Sequence, residues 1–303
     1  MTDRAKEEAL SQLKMSMLAG QNIKIVNDGN IGTMERRLPL HQYIREIWRY
    51  RHFTMMHAKH KAGGTTDGLF LGRLWLILEP LLRIVMYGML FGLVLNTSRG
   101  IQNFVGFLVI GVIFFGMMSK GLTTGSGLIQ KSRAMMRTFR FPRATLVVGE
   151  AMREFIVGLA PAVIAVVTAL AFQWGAPLSW SVILVIPLYI MIHVFAAGLA
   201  FISARVTAFI PDTRKILQFV TRAWFYVSGV FFLVDRYDSV PEIQAVMKEN
   251  PAYRFLQAVR SVVMYGDHLA MADWLVLAAW SFGTLAVGLV FFWRAENRYV
   301  RVP

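Results

Sequence analysis

Six stretches of this 303-residue chain, at 69–95, 104–129, 144–172, 181–206, 216–234 and 274–293, approach or exceed the roughly 20 apolar residues a helix needs to cross a bilayer. Such stretches leave few folds open. Hydrocarbon offers no water to backbone N–H and C=O groups, so a chain built this way folds as a helical bundle that satisfies them internally. Composition agrees: 56% of residues are apolar and 17% charged, with mean hydropathy +0.49, whereas soluble domains carry about 25% charged residues. The formal charge of +14 would suit nucleic acid, but the basic residues gather beside the apolar stretches rather than along one polar face. The chain has no cysteine, which excludes disulfides, thiolate metal sites and cysteine nucleophiles. Residues 1–20 mix Asp3, Arg4, Lys6, Glu7 and Glu8 with scattered apolar residues and lack the uninterrupted apolar core of a signal peptide.

Charge in the connections sets the expected orientation. Lys131, Arg133, Arg137, Arg140 and Arg143 follow the second stretch; Arg205, Arg214 and Lys215 follow the fourth. The positive-inside rule puts these on the cytoplasmic side with both termini. The connection after the first stretch has one basic residue, Arg99, that after the third has none, and 235–273 carries six acids against four bases. The expectation is an all-α integral membrane protein of the cytoplasmic (inner) membrane. It comprises six transmembrane helices, an N-terminal amphipathic interfacial helix, and short re-entrant outer helices between the fifth and sixth spans. Its parts are a polar extension (1–35), the interfacial helix and linker (36–68), the transmembrane domain (69–293) and a cytoplasmic tail (294–303).

In the interfacial helix, Tyr43, Ile44, Ile47 and Trp48 share one face while Arg45, Arg49 and Arg51 lie largely off it. Leu38-Pro-Leu-His41 would start it and Gly63-Gly-Thr-Thr66 would end it, on the membrane surface or against another subunit. Within 235–273, Val240-Pro-Glu-Ile and Asn250-Pro-Ala-Tyr offer two helix starts with proline in the first turn. The apolar run Phe255, Leu256, Val259, Val262, Val263 is too short to cross, which suits helices dipping into the outer leaflet or an external cap.

An unpaired charge at the centre of a spanning helix costs about 3 kcal/mol or more. Glu79 and Arg83 are spaced to pair along one face, and so are Glu150, Arg153 and Glu154. Lys120 and Arg222 have no partner in their own helices, so each is expected to face a wet cavity, a partner helix or the headgroups; snorkelling is the first expectation for Lys120, and Arg222, followed by Trp224, Phe225 and Tyr226, is better placed to face a functional surface. His193 reads as a packed histidine, and no metal site is assigned. Trp75, Tyr87 and Phe91, Phe114 and Phe115, and Trp224, Phe225, Tyr226, Phe231 and Phe232 are expected to line a path. Aromatic faces suit the C–H faces of sugars, and Trp and Tyr add a polar edge.

Catalytic signatures are missing: no G-x-x-x-x-G-K-[ST], H-E-x-x-H or G-x-S-x-G occurs, and the glycine-rich 63–68 lacks the lysine. The chain does not bind and hydrolyse ATP by a phosphate loop.

Several segments together resemble the transmembrane subunit of ABC-2 type exporters, and within it the polysaccharide, O-antigen and teichoic-acid permeases. They are Leu71-Gly-Arg-Leu-Trp-Leu-Ile-Leu-Glu-Pro-Leu-Leu82, Arg137-Thr-Phe-Arg-Phe-Pro-Arg143, Ile210-Pro-Asp-Thr-Arg-Lys-Ile216, Trp224-Phe-Tyr-Val-Ser-Gly-Val-Phe-Phe232, and Asn250-Pro-Ala-Tyr253 with Ala258-Val-Arg-Ser261. The polar N-terminal extension and the length of 58–68 depart from the family pattern. The resemblance implies a homodimer with its pore mainly between the first and fifth spans, and two copies of a separate subunit that binds ATP and Mg. This chain would carry no cofactor and no catalytic residue of its own. The segment 131–143 would contain the coupling helix, with Arg133, Met135, Met136, Arg137, Phe139 and Arg140 meeting the ATPase and the exposed Met135, Met136 and Phe139 as its apolar contacts. Trp75, Tyr87, Phe114, Phe115, Trp224, Phe225 and Tyr226 would line the path of a lipid-linked glycan, and Arg73, Arg83 and Arg222 would meet the carrier phosphate. Nucleic acid is not an expected partner. An ABC-2 exporter of drugs or small lipids, or an ATPase-independent flippase or membrane enzyme, are the alternatives.

Overall fold

The computed structural model describes residues 38–64, 74–90, 101, 103–139, 141–173, 179–232 and 241–301. Pro39–Pro303 form one compact unit, and every regular element among the described residues is helical. The order is α1 (Leu40–Arg49), α2 (Arg51–Gly63), α3 (Trp75–Tyr87), α4 (Phe104–Gly125), α5 (Leu128–Lys131), α6 (Arg133–Thr138), α7 (Ala144–Ala171), α8 (Val185–Phe209), α9 (Thr213–Val227), α10 (Pro241–Glu249), α11 (Pro251–Arg260) and α12 (Met271–Trp293). Single helical turns at Trp180–Leu184, Ser261–Tyr265 and Glu296–Arg301 extend α8, α11 and α12. The expected N-terminal extension lies outside the described residues.

Among the described residues, four helical segments are long and apolar enough to cross a membrane: Phe104–Gly125, Ala144–Ala171, Trp180–Phe209 and Met271–Trp293. They correspond to the second, third, fourth and sixth apolar stretches. Among the described residues the first stretch holds α3 of 13 residues, continued by a helical turn at 88–90, and the fifth holds α9 of 15. At 1.5 Å per residue α9 reaches about 22 Å, less than the roughly 30 Å hydrocarbon core. In the fifth stretch the physical reason is visible: Arg222 interrupts the apolar run, and Arg214 and Lys215 stand just before it. The chain then turns after Val227, carrying Val230 and Phe231 into the core.

α4 is apolar all round and buried over most of its length, as a central helix should be. It packs between α7 and α8, and α8 packs in turn against α12. Lipid tails are as apolar as leucine, so such contacts depend on close backbone approach through small residues. A Cβ on Gly121 of α4 would collide with the backbone carbonyl of Ala196 in α8, and one on Gly198 of α8 would lie 2.5 Å from the Thr284 carbonyl carbon in α12. Asn103 fixes the other end of α4. Its side-chain oxygen accepts from Gly106 N (2.8 Å), while its amide donates to Ala169 O of α7 (2.8 Å).

The expected interfacial helix is two helices that break at Tyr50. Tyr43 is fully buried and Ile47 packs beside it, whereas Ile44 and Trp48 are exposed. α2 lies against α7 with Thr54 and Ala58 buried, so this region is anchored to the bundle through α2 and Tyr43. At the opposite end, α11 packs against α4, α8 and α12 and buries Phe255, Leu256 and Val259.

Gly121→Val and Gly198→Val should each sharply reduce the yield of monodisperse protein on size-exclusion chromatography. Gly116→Ala, where a Cβ meets nothing within 4 Å, should leave the yield unchanged.

Candidate coupling segment and aromatic path

After α4 the chain reverses through Gly127, whose φ of +74° suits glycine. A Cβ there would sit 2.6 Å from the Arg214 guanidinium carbon. Gly127 N donates to Thr207 Oγ1 (2.9 Å) and Gln130 Nε2 donates to Thr207 O (2.7 Å), which pins the turn to the end of α8. The short helices α5 and α6 follow with two unlike faces. Leu128, Ile129 and Met136 are buried in a cluster with Tyr43, Phe201, Phe292 and Tyr299. Lys131, Ala134, Arg137 and Phe139 are exposed, Phe139 by 63%.

The expected apolar contact surface is therefore corrected. Met136, 8% exposed, is a core residue, and Met135 is half-buried against the same cluster. The break at Ser132 between α5 and α6 rotates the face that the sequence suggested. Phe139 is the large apolar side chain left outward. Arg133 is half-buried, and Arg140 lies outside the described residues.

The segment's far root is held by a buried carboxylate. Glu296 Oε2 accepts from Tyr43 OH (2.6 Å), and Oε1 accepts from Arg143 N (2.8 Å) with Arg143 Nη1 at 3.3 Å. Tyr43 OH in turn accepts from Ala144 N (3.1 Å). Burial pushes the Glu296 carboxyl above the usual glutamate range, although its bonds to Tyr43 and Arg143 pull the other way. Burial, reinforced by the Glu296 charge, raises the Tyr43 phenol.

Charges inside the bundle form a chain. Lys61 of α2 pairs with Glu150, Arg153 bridges Glu150 (2.9 Å) and Glu154 (2.5 Å), and Lys120 of α4 reaches Glu154 (3.0 Å). The pairing of Glu150, Arg153 and Glu154 follows the sequence spacing. Lys120 meets a partner helix, one of its expected surroundings: Glu154 of α7 holds its ammonium while the side chain stays half-exposed. The side chain of Arg83, expected to pair with Glu79, lies outside the described atoms, and so does all of Arg73. His193 bonds the Tyr189 carbonyl (2.9 Å) and packs on the rings of Tyr189 and Phe155, so it is a packed histidine.

Aromatic rings converge where α3, α4 and α9 meet. Phe115 lies 5.1 Å from both Trp224 and Phe225; Phe225 is 4.9 Å from Phe231, 5.6 Å from Tyr226 and 6.1 Å from Tyr87. This brings together five of the seven expected path residues. Phe114 is fully buried in the main core and makes no ring contact with this group among the described residues. Trp75 lies one helix length from Tyr87, about 18 Å along α3. Arg222 is exposed and makes no ion pair among the described residues; it shares a face of α9 with Phe219 and Tyr226, one turn away on either side.

Two residues outside the expected site tie this cluster to the outer helices. Asn250 Oδ1 accepts from Trp224 Nε1 (2.9 Å) and from Ala252 N (3.0 Å), so one side chain both caps α11 and holds the path's indole. Arg260 is fully buried. It donates to the carbonyls of Gly229 (3.0 Å), Val230 (3.1 Å) and Phe107 (3.2 Å), and its guanidinium lies over the Phe107 ring. An arginine inside the run Val259-Arg-Ser-Val-Val was the signal available in the sequence.

Residues 67–264 match the family model of the ABC-2 type transporter. The chain belongs to that family. This ABC-2 chain is 25% identical to the O-antigen export system permease protein RfbA of Myxococcus xanthus over 258 residues, covering 84% of this chain and 94% of that protein. It is 24% identical to a Klebsiella pneumoniae protein of the same name over 237 residues, 76% of this chain and 87% of that one. It is also 21% identical to the polysialic acid transport protein KpsM of Escherichia coli over 240 residues, 75% and 87%.

Arg260→Ala would leave carbonyls unmatched in the interior at about 1–3 kcal/mol each. It should lower the thermal unfolding midpoint of the purified protein, and Arg260→Lys, which has no fork to reach several carbonyls, should fall between the two.

Proposed function

We propose that this ABC-2 chain is the permease subunit of an ATP-driven exporter that moves a lipid-linked polysaccharide across the cytoplasmic membrane. The observation that carries the transport reading is the two-faced segment at 128–139. It is rooted in the core through Leu128, Ile129 and Met136 and presents Phe139 among Arg137 and Lys131. An exposed aromatic ringed by bases, in a chain without a phosphate loop, suits a cleft on a separate ATP-binding subunit. The substrate class leans on the relatives, whose names refer to O-antigen and polysialic acid.

Two copies of this chain and two ATP-binding subunits, holding ATP and Mg, make up the working assembly. α9 buries none of its residues and displays Ile216, Phe219, Val220, Tyr226 and Val227 together with Arg222. A charge on an apolar face is costly against lipid, so a second copy and a water-filled path account for that face better. The first and fifth apolar stretches complete six spans with both termini in the cytoplasm. Tyr87, Phe115, Trp224, Phe225 and Tyr226 flank the glycan's route, and α10 and α11 dip from the outer side to close it. Arg222 is placed to meet the carrier phosphate, with Arg73 and Arg83 assigned the same role nearer the inner entrance.

Phe139→Asp should leave the chain inserted and assembled while lowering surface polysaccharide at least tenfold in cells whose only copy is the variant. Wild-type surface polysaccharide in that strain, measured by gel and silver stain, would rule out the coupling assignment. Met136→Asp is not an equivalent test, because it buries a charge.

A further inference from the structure

The chain ends that meet at Glu296 are far apart in sequence: Tyr43 and Glu296 are separated by 253 residues, and Arg143 and Glu296 by 153. α7 starts without a side-chain cap of its own. Its first two N–H groups are taken by groups from elsewhere, Arg143 N by the Glu296 carboxylate and Ala144 N by the Tyr43 hydroxyl. A helix N-terminus left open in a buried place needs acceptors, and a carboxylate also suits its dipole. What sets this cap apart is where its parts come from. One acceptor stands on α1 and holds Ala144, the other on the turn that follows α12 and holds Arg143, so together they grip the C-terminal edge of the coupling segment.

We propose that Glu296 and Tyr43 are positioning residues that latch the coupling segment to α1, α7 and α12, so that a displacement at Phe139 moves these helices as one body. The inference rests on the coupling role assigned to the segment. Phe139 is four residues from Arg143, and the short link between them transmits force only if its far end is fixed. With the latch closed, a pull on Phe139 reaches α7, and through Glu150 and Glu154 it reaches α2 and α4. It also reaches α12, which packs along α8. With the latch open, the same pull is absorbed by rotation about 140–143. ATP hydrolysis by the partner subunits then continues without matching movement in the bundle.

The competing account is that the cap only stabilises the fold. The two are separated by the amount of glycan exported per ATP hydrolysed. Tyr43→Phe keeps the ring and its packing but removes the hydroxyl; Glu296→Gln keeps the shape but turns one acceptor into a donor facing other donors. ATP hydrolysis is measured on the complex with its ATP-binding subunit in nanodiscs of host lipid, and surface polysaccharide on cells carrying each variant as the only copy.

Each variant should lower polysaccharide several-fold per unit of ATPase activity, and the double variant should be no worse than the weaker single, as for parts of one unit. A wild-type ratio, a proportional fall in hydrolysis and export, or full additivity in the double variant would overturn the latch. Phe139→Asp is run alongside. A wild-type ratio there overturns the coupling role of the segment itself. A lowered ratio there, with wild-type ratios in Tyr43→Phe and Glu296→Gln, overturns the latch alone.

Discussion

Every polar group inside this bundle has to be matched by the chain itself, because hydrocarbon supplies no water to do it. The rest of the architecture can be read from how that demand is met. Lys120 and Lys61 sit on different helices and converge on carboxylates of α7, which fixes α2 and α4 against it. Arg260 gathers the carbonyls freed where the chain turns after α9, and that turn is what seats α11 inside the bundle. Asn103 and Glu296 do the same at the two ends of α7. Apolar side chains keep these sites dry, but the polar groups decide which helix stands next to which.

This division also explains what the sequence made legible. Interactions within one helix were readable from spacing, as with Glu150, Arg153 and Glu154, and so was the asparagine before proline that starts α11. The long apolar stretches declared themselves by composition. What escaped was whatever depended on rotation or on a second element. Phe114 and Phe115 are neighbours with the same chemistry, yet only Phe115 turns toward Trp224. Met136 and Phe139 stand three residues apart, and a break at Ser132 sends one inward and the other outward. The partner of Lys120 lies 34 residues further on, beyond the reach of any periodicity argument.

The two candidate regions of this ABC-2 chain, the proposed coupling segment and the aromatic cluster, share α4. Phe115 lies near its middle, in the aromatic cluster, and the helix ends in the glycine turn that begins the coupling segment. About 18 Å of one rigid, buried helix separates the rings from that turn. A buried helix of this kind carries displacement with little loss, since close-packed interiors deform poorly. The aromatic cluster is joined to the outer helices by the Asn250 side chain, so one mechanical line runs from the coupling turn to the outer end of the bundle.

α9 belongs to this line by one face alone. None of its fifteen side chains is fully buried, yet Trp224 and Phe225 pack on Phe115 and Trp224 bonds Asn250, while Phe219, Arg222 and Tyr226 stay exposed. On the proposed transport reading the open face is a surface that can be altered without disturbing the core behind it, which suits a polymer whose cross-section varies from unit to unit.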